Sequence, residues 1–156
     1  MAAKARGLGL TVAELDKQAE GAAKPPTAGQ VVVTGLMAQE RVPGLLRAMD
    51  VLVHPSYREG LPRTVPQALL CGVCPVAYDV DGTGEVCRNG ETGWLVPPGN
   101  LDELRKAVEW CASHPIERRG MADKGRVECA VEFSAKKMVE DLERVYQTAM
   151  TMGQGG

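Results

Sequence analysis

The sequence is poor in aromatic residues and has no excess of charge of either sign. Only 4% of its 156 residues are Phe, Trp or Tyr, and 18 basic residues face 20 acidic ones, for a net charge of −2. Proteins that bind nucleic acid use a basic surface, and those that bind single strands add aromatic rings on which the bases stack. The composition therefore predicts that nucleic acid is not a partner.

Histidine is scarce, and the cysteines have no regular spacing. The chain has two histidines, His54 and His114, and five cysteines, two of which form the segment "CGVC". A zinc site of this type needs a second ligand pair, and a secreted disulfide framework needs a regular, even set. A redox role for "CGVC" is a distant alternative, because the pair follows a predicted helix instead of beginning one. We expect small buried thiols in a reducing cytoplasm, and no metal.

Long apolar segments are also missing. No run approaches the roughly 20 residues that a membrane-spanning helix needs. The opening "MAAKARGLGL" lacks the apolar core of a signal peptide. The predicted location is the cytoplasm, with a peripheral position at the inner face of the membrane as a further expectation.

What the sequence does contain is a regular alternation of strand and helix patterns. "QVVVTGL", "DVLVHPS", "CPVAYDV" and "TGWLVPPG" are typical of buried strands, and helical patterns lie between and after them, beginning with a helix at 11–23. Such alternation favours parallel βαβ units. We predict one α/β domain, a three-layer Rossmann-like structure with a mostly parallel sheet, at 1–150, followed by a flexible tail at 151–156.

Three loops after predicted strands are candidates for function: "TGL", "HPSYREGLP" and "DVDGTGEV". Ligands of parallel sheets bind beyond the carboxyl ends of the strands. In the middle loop, Gly60 allows close approach of a ligand and Glu59 can accept hydrogen bonds from sugar hydroxyls. This loop is expected to open a helix, so that the amides of Gly60 and Leu61 face a diphosphate. Gln67, two turns further on, leans towards the same opening.

The run from "VVVTGL" through "AMDVLVHPSYREGLPRTVPQALLCGVCPVAYDVDGTGEVCRNGETGWLVPPGNLDEL" resembles a known family. It looks like the C-terminal, donor-binding half of retaining glycosyltransferases with the two-domain GT-B fold. The likeness is to glycosyl transferases group 1, which build cell-surface glycans and glycolipids. It covers about residues 30–112, and more loosely extends to 150.

The resemblance implies a role for each matching residue. Glu59 corresponds to the first carboxylate of a pair separated by seven residues and would act on the donor sugar in the catalytic site. Gln67 takes the place of the second, which holds the nucleotide ribose. The remaining donor-binding positions are those beside the nucleobase, the sugar and diphosphate, the cleft and the covering loop: Gly35, Leu36, Gly60, Leu61, Pro62, His54, Gly82 and Glu85.

Two features depart from the family pattern. Gln67 is neutral where a glutamate is usual, and loss of a charge-assisted hydrogen bond weakens nucleotide binding by roughly 1–2 kcal/mol. The first strand and loop of the domain, which supply an arginine and a lysine to the diphosphate, are not recognisable, nor is an acceptor-binding domain. We therefore expect a donor-binding half without its first strand, completed by an N-terminal domain in trans or self-associating through the open sheet edge.

The function predicted from the resemblance is transfer of a hexose from a UDP- or GDP-linked sugar to a glycan or lipid acceptor, with retention at the anomeric carbon and without a metal or other cofactor. One alternative is a module that binds nucleotide sugars without turnover. Another is half of a nucleotide-sugar epimerase, which needs acid and base groups in the cleft. The segment "DVDG" resembles an Asp-x-Asp metal motif, but its place after a parallel strand favours a loop.

Overall fold

The computed structural model describes residues 31–152, so the predicted helix at 11–23 lies outside the described residues. The chain divides into two compact units, Met1–Val42 and Pro43–Gly156. After a 3₁₀ turn at Gln39–Arg41, the elements follow in the order α1 (Val42–Arg47), β1 (Val51–His54), α2 (Thr64–Leu70), β2 (Cys74–Tyr78), α3 (Thr83–Val86), β3 (Trp94–Val96), α4 (Leu101–Ser113), α5 (Pro115–Glu132) and α6 (Ala135–Met152).

The prediction of a strand at "QVVVTGL" is wrong for residues 31–36, the part of this segment that the structure describes. Residues 31–36 form no strand, and Val31, Val32 and Val33 are exposed by 64%, 46% and 37%. β-branched residues favour a strand only where the backbone pairs and one face is covered, and within residues 31–152 this segment pairs with no other strand. Gly35 takes a positive φ of 65°, so the chain turns there.

The described strands form a parallel sheet in the order β1-β2-β3. Val51 pairs with Cys74 and His54 with Ala77, while Tyr78 pairs with Val96. Because all three strands run in the same direction, their carboxyl ends meet at one edge. The loops that follow His54, Tyr78 and Val96 therefore come together.

β2 is the buried centre of this sheet. Cys74, Val76 and Tyr78 pack with Ala107 of α4 and with other buried residues of α4 and α5. A second cluster joins Val65 and Leu69 of α2 to Val86, Cys87 and Cys129. All five residues of β2 are buried, as a strand covered on both faces requires. The predicted α/β Rossmann-like class with a mostly parallel sheet is confirmed.

Helix ends follow the local sequence. Asn100 Oδ1 accepts a hydrogen bond from the Glu103 amide at 3.1 Å and caps α4, an interaction worth about 1 kcal/mol. Gly72, with φ of 79°, ends the turn after α2. Pro43 lies in the first turn of α1, where its missing N–H costs nothing. α6 continues to Met152, two residues into the segment predicted as a tail.

All five cysteines are free thiols. Four of them are buried, whereas Cys71 is half-buried. Burial raises the pKa of Cys87 to about 12 and that of Cys129 to about 11. Among residues 31–152, no helix combines the length and the apolar character needed to cross a bilayer.

Candidate functional site

The candidate site lies where the loops after β1 and β2 meet. β1 ends at His54 and β2 at Tyr78, and the register of the two strands places these ends at the same edge of the sheet. The loop at 55–63 carries the "REGLP" segment, and the loop at 79–82 carries "DVDG". Two of the three loops predicted from the sequence are thus brought together.

Two hydrogen bonds join these loops directly. The Glu59 amide donates to Asp81 Oδ2 at 3.0 Å, and the Gly82 amide donates to the Gly60 carbonyl oxygen, also at 3.0 Å. A Cβ atom at Gly82 would lie 2.3 Å from that same oxygen. Only glycine at position 82 permits this approach, so the two loops form one unit.

Glu59 is held from its side chain as well as from its backbone. His54 Nε2 lies 3.2 Å from Glu59 Oε1, and the side chains are 18% and 30% exposed, respectively. This distance is that of a hydrogen bond between the imidazole ring and the carboxyl group. His54 therefore orients one carboxylate oxygen of Glu59 and leaves the other with free acceptor capacity.

Asp81 was not predicted as a site residue, although the structure gives it a clear part. Its φ of 41° lies in the left-handed region, where Asp and Asn are several-fold enriched among residues other than glycine. Its carboxylate accepts the Glu59 amide hydrogen. An aspartate in a turn after a strand can be recognised from the sequence. Its partner, however, is 22 positions away, and no local pattern predicts that contact.

The expectation for the amides of Gly60 and Leu61 needs correction. α2 begins at Thr64, so these two residues precede the helix and do not belong to its first turn. Pro66, which lies within that turn, has no N–H at all. A short irregular segment thus separates the loop from the helix, and the dipole of α2 is not centred on Gly60.

The other loop residues differ in exposure. A Cβ at Gly60 would meet no atom within 4 Å, so this face of the loop is open. Leu61 is 42% exposed. Pro62, in contrast, is fully buried and anchors the loop to the core. Gly60 therefore leaves room for a ligand to approach its backbone on this side.

The remaining predicted residues are placed as follows. Gln67 is exposed on α2, and Glu85 is exposed on α3 with Oε1 3.6 Å from where a Cβ of Gly82 would be. Gly35 and Leu36 belong to the unit Met1–Val42 and are described only within it. The structure thus groups His54, Glu59, Gly60, Gly82 and Glu85 in one unit of two loops.

Two further side chains border this unit. Tyr57 packs edge-on against Tyr78, with ring centroids 5.3 Å apart. Its hydroxyl oxygen lies 3.3 Å from where a Cβ of Gly99 would be, so it reaches the loop after β3. The buried Thr83 hydroxyl, beside Gly82, has no hydrogen-bond partner among the described residues. No local sequence pattern marked Tyr57 or Thr83 as part of a site.

Comparison with known protein families shows to which of them this chain belongs. The family described as glycosyl transferases group 1 matches residues 9–128, well over half of the chain. The chain belongs to this family. A curated relative, the alpha-D-kanosaminyltransferase of Streptomyces kanamyceticus, is 29% identical over 118 residues, which is 76% of this chain and 31% of that protein. The chain thus spans less than a third of the length of such relatives.

Solved structures of glycosyltransferases share the fold of this group 1 protein. HepE from Anabaena, crystallised with UDP-glucose, superposes with a TM-score of 0.71 at 24% identity, covering 78% of this chain and 33% of HepE. The C-terminal domain of LpcC, a group 1 protein from Francisella tularensis, superposes with a TM-score of 0.61 at 19% identity, covering 67% of this chain and 53% of that domain. The Rossmann-like fold is that of GT-B glycosyltransferases.

Proposed function

We propose that this chain is the donor-binding half of a retaining group 1 glycosyltransferase. The parent activity is transfer of a hexose from a nucleotide diphosphate sugar to a glycan or lipid acceptor. The observation that carries the proposal is the unit formed by the two loops, in which Asp81 and His54 hold Glu59 at the carboxyl edge of a parallel sheet. Ligands of open α/β sheets bind at this edge.

Similarity to solved proteins supports the choice of donor and of domain. HepE, which shares this fold, was crystallised with UDP-glucose, and the LpcC structure is that of a C-terminal domain. We infer that this chain binds a uridine or guanosine diphosphate sugar and corresponds to a C-terminal half.

In this proposal each residue has one task. Glu59 accepts hydrogen bonds from the donor sugar through the carboxylate oxygen that His54 leaves free. The open backbone at Gly60 lies beside the sugar and diphosphate. Gln67 accepts a hydrogen bond from one ribose hydroxyl.

The chemistry that follows is electrostatic. The bond between the anomeric carbon and the diphosphate oxygen breaks, and its electron pair leaves with the diphosphate. The acceptor hydroxyl forms the new bond on the same face and passes its proton to the departing diphosphate oxygen. A carboxylate beside the developing positive sugar stabilises this transition state. The Asp81 carboxylate already binds the Glu59 amide, so "DVDG" stabilises the loop and we propose that the transfer needs no metal. We also propose that the protein acts in the cytoplasm.

Calorimetric titration with UDP, GDP and UDP-glucose tests this assignment. We expect Glu59→Ala to weaken UDP-glucose binding by about tenfold and to leave UDP binding nearly unchanged, because Glu59 contacts only the sugar. Gln67→Ala should weaken both ligands, by about threefold to tenfold, because it contacts the ribose. Glu143→Ala, an exposed change on α6, is the control.

Two results would overturn the proposal. One is the absence of any nucleotide binding at millimolar concentration. The other is a Glu59→Ala protein that binds UDP-glucose as tightly as the unchanged chain, since Glu59 would then lie outside the donor site.

A further inference from the structure

A cavity lies at the opposite edge of the sheet from the loops of the candidate site. It is bounded by the end of α1, by the residues that lead into β1 and β2, and by the part of α5 from Pro115 to Arg126. Its volume is about 360 Å³, which falls in the range of roughly 300–1,000 Å³ of small-molecule sites. Asp50 and Val73, which immediately precede β1 and β2, line it.

The lining of this cavity is strongly basic. Four arginines face it, Arg47, Arg118, Arg119 and Arg126, together with two aspartates, Asp50 and Asp123. The four arginines and two aspartates give the lining a net charge of +2, whereas the whole chain has a net charge of −2. Guanidinium groups match phosphate oxygens in geometry and can bind them in a bidentate manner.

The four arginines differ in the hydrogen bonds and ion pairs that they form. Arg118 Nη1 donates to the Cys111 carbonyl oxygen at 3.1 Å and Nη2 donates to Asp50 Oδ1 at 2.6 Å. Its side chain is only 18% exposed, so it is fixed in the cavity wall. Arg126 pairs with Asp123 at 3.3 Å.

Arg47 and Arg119 form no ion pair with any residue in 31–152. Both aspartates of the lining are already paired, with Arg118 and Arg126. Two guanidinium groups thus border the cavity with their donors available to a ligand.

The first turn of α5 adds to the positive potential. Pro115, its first residue, also lines the cavity. α5 has 18 residues, and the amino terminus of such a helix carries a partial positive charge. The arginines and the helix therefore favour the same kind of ligand.

We propose that this cavity binds a small soluble phosphate ester of about the size of a sugar phosphate. The ligand's phosphate group pairs with Arg47 and Arg119, and Arg118 is the fixed part of the wall. This site is separate from the nucleotide-sugar site, because it lies at the amino ends of the strands. It extends the proposed function without depending on it.

The test is calorimetric titration of the full chain with inorganic phosphate and with glucose 1-phosphate. We expect one binding event that the double change Arg47→Gln, Arg119→Gln weakens by at least about tenfold, as loss of charged hydrogen bonds does. Arg105→Gln, on α4 and paired with Glu109, is the matched control and should bind as the unchanged chain does. Glu59→Ala should also leave this binding unchanged, which separates the site from the loops after β1 and β2.

Three results would overturn the inference. In the first, neither anion binds at millimolar concentration in low salt. In the second, the double variant, shown to be folded by circular dichroism, binds as tightly as Arg105→Gln. In the third, vesicles containing phosphatidylglycerol bind while the soluble anions do not, which would make this a membrane-facing surface instead of an enclosed site.

Discussion

Gly82 is the residue on which the geometry of the candidate site depends most closely. Its amide donates to the Gly60 carbonyl, and its Cα lies so near that oxygen that a Cβ atom would be 2.3 Å from it. The obstructing atom is backbone, so it cannot rotate away as a side chain can. Any larger residue must push the loops apart.

We predict that Gly82→Ala destabilises the chain by about 1–3 kcal/mol, the usual range for forced overpacking. It should also weaken UDP-glucose binding, since Glu59 is on the displaced loop. Urea unfolding and calorimetry measure the two effects. Gly84→Ala is the control: its Cβ would meet the nearest atom at 3.8 Å, so an unfolding midpoint equal to or above that of the unchanged chain is expected. Equal midpoints for both variants would contradict the close approach of the two loops.

At this scale the sequence predicted part of the loop geometry that the structure shows. Glu59 and Gly60 were recognisable because a glycine beside a carboxylate in a loop after a strand is a local pattern, whereas Gly82 was named through the family resemblance. The role of Asp81 was not predictable, since its contact with the Glu59 amide spans 22 positions. The prediction that the Gly60 amide lies at the start of a helix was wrong. α2 begins only at Thr64, and its first turn contains Pro66.

Between elements, α2 and α5 pack closely against each other. A Cβ at Gly125 of α5 would lie 2.6 Å from Leu69 Cδ2 of α2 and 3.1 Å from Thr92 Cβ. Leu69 and Thr92 are fully buried, so neither has room to move. Gly125 thus sets how closely α5 approaches the face of the sheet that α2 covers.

A pair of glycine changes in α5 tests this contact. Gly125→Ala should lower the free energy of unfolding by about 1–3 kcal/mol through overpacking. Gly120→Ala, in the same helix with no atom within 4 Å of its Cβ, should raise it by up to about 1 kcal/mol, because alanine is the better helix former. Thermal or urea unfolding of both variants gives the comparison, and a Gly125→Ala protein as stable as Gly120→Ala would show that α2 and α5 pack less closely.

The sequence predicted the last three helices and the three described strands, but its prediction of a strand at residues 31–33 was wrong. The helical patterns after the last strand correspond to α4, α5 and α6, because apolar periodicity is a property of the local sequence. β1, β2 and β3 were predicted from short apolar runs that end in proline or at a turn. Val31, Val32 and Val33 have the same composition but no strand partner among the described residues, and pairing is not a local property.

Across the molecule, burial is distributed unevenly between the two last helices. α5 and α6 each have 18 residues, and α5 buries Ala122, Gly125 and Cys129. α6 has no buried residue within the described chain, and Met138, Leu142 and Val145 on its apolar face are exposed by 58%, 49% and 64%. A helix of this length without tertiary burial is only marginally stable in water.

We therefore predict that amide hydrogens of α6 exchange with solvent much faster than those of α5, approaching the rates of a frayed terminus. Hydrogen–deuterium exchange followed by mass spectrometry measures both helices in one sample, so each serves as the other's control. Equal protection of Ala135–Met152 and Pro115–Glu132 would mean that α6 gains stabilising contacts, such as those of self-association, in solution.

The cysteine distribution makes this chain convenient for site-specific labelling. Cys71 is half-buried while the other four thiols are buried, and burial raises the pKa of Cys87 and Cys129 far enough that little reactive thiolate forms near neutral pH. A maleimide dye therefore attaches at one position without any cysteine being removed. Cys71 also borders the arginine-lined cavity, so the dye's emission would report directly on occupancy at that edge of the sheet.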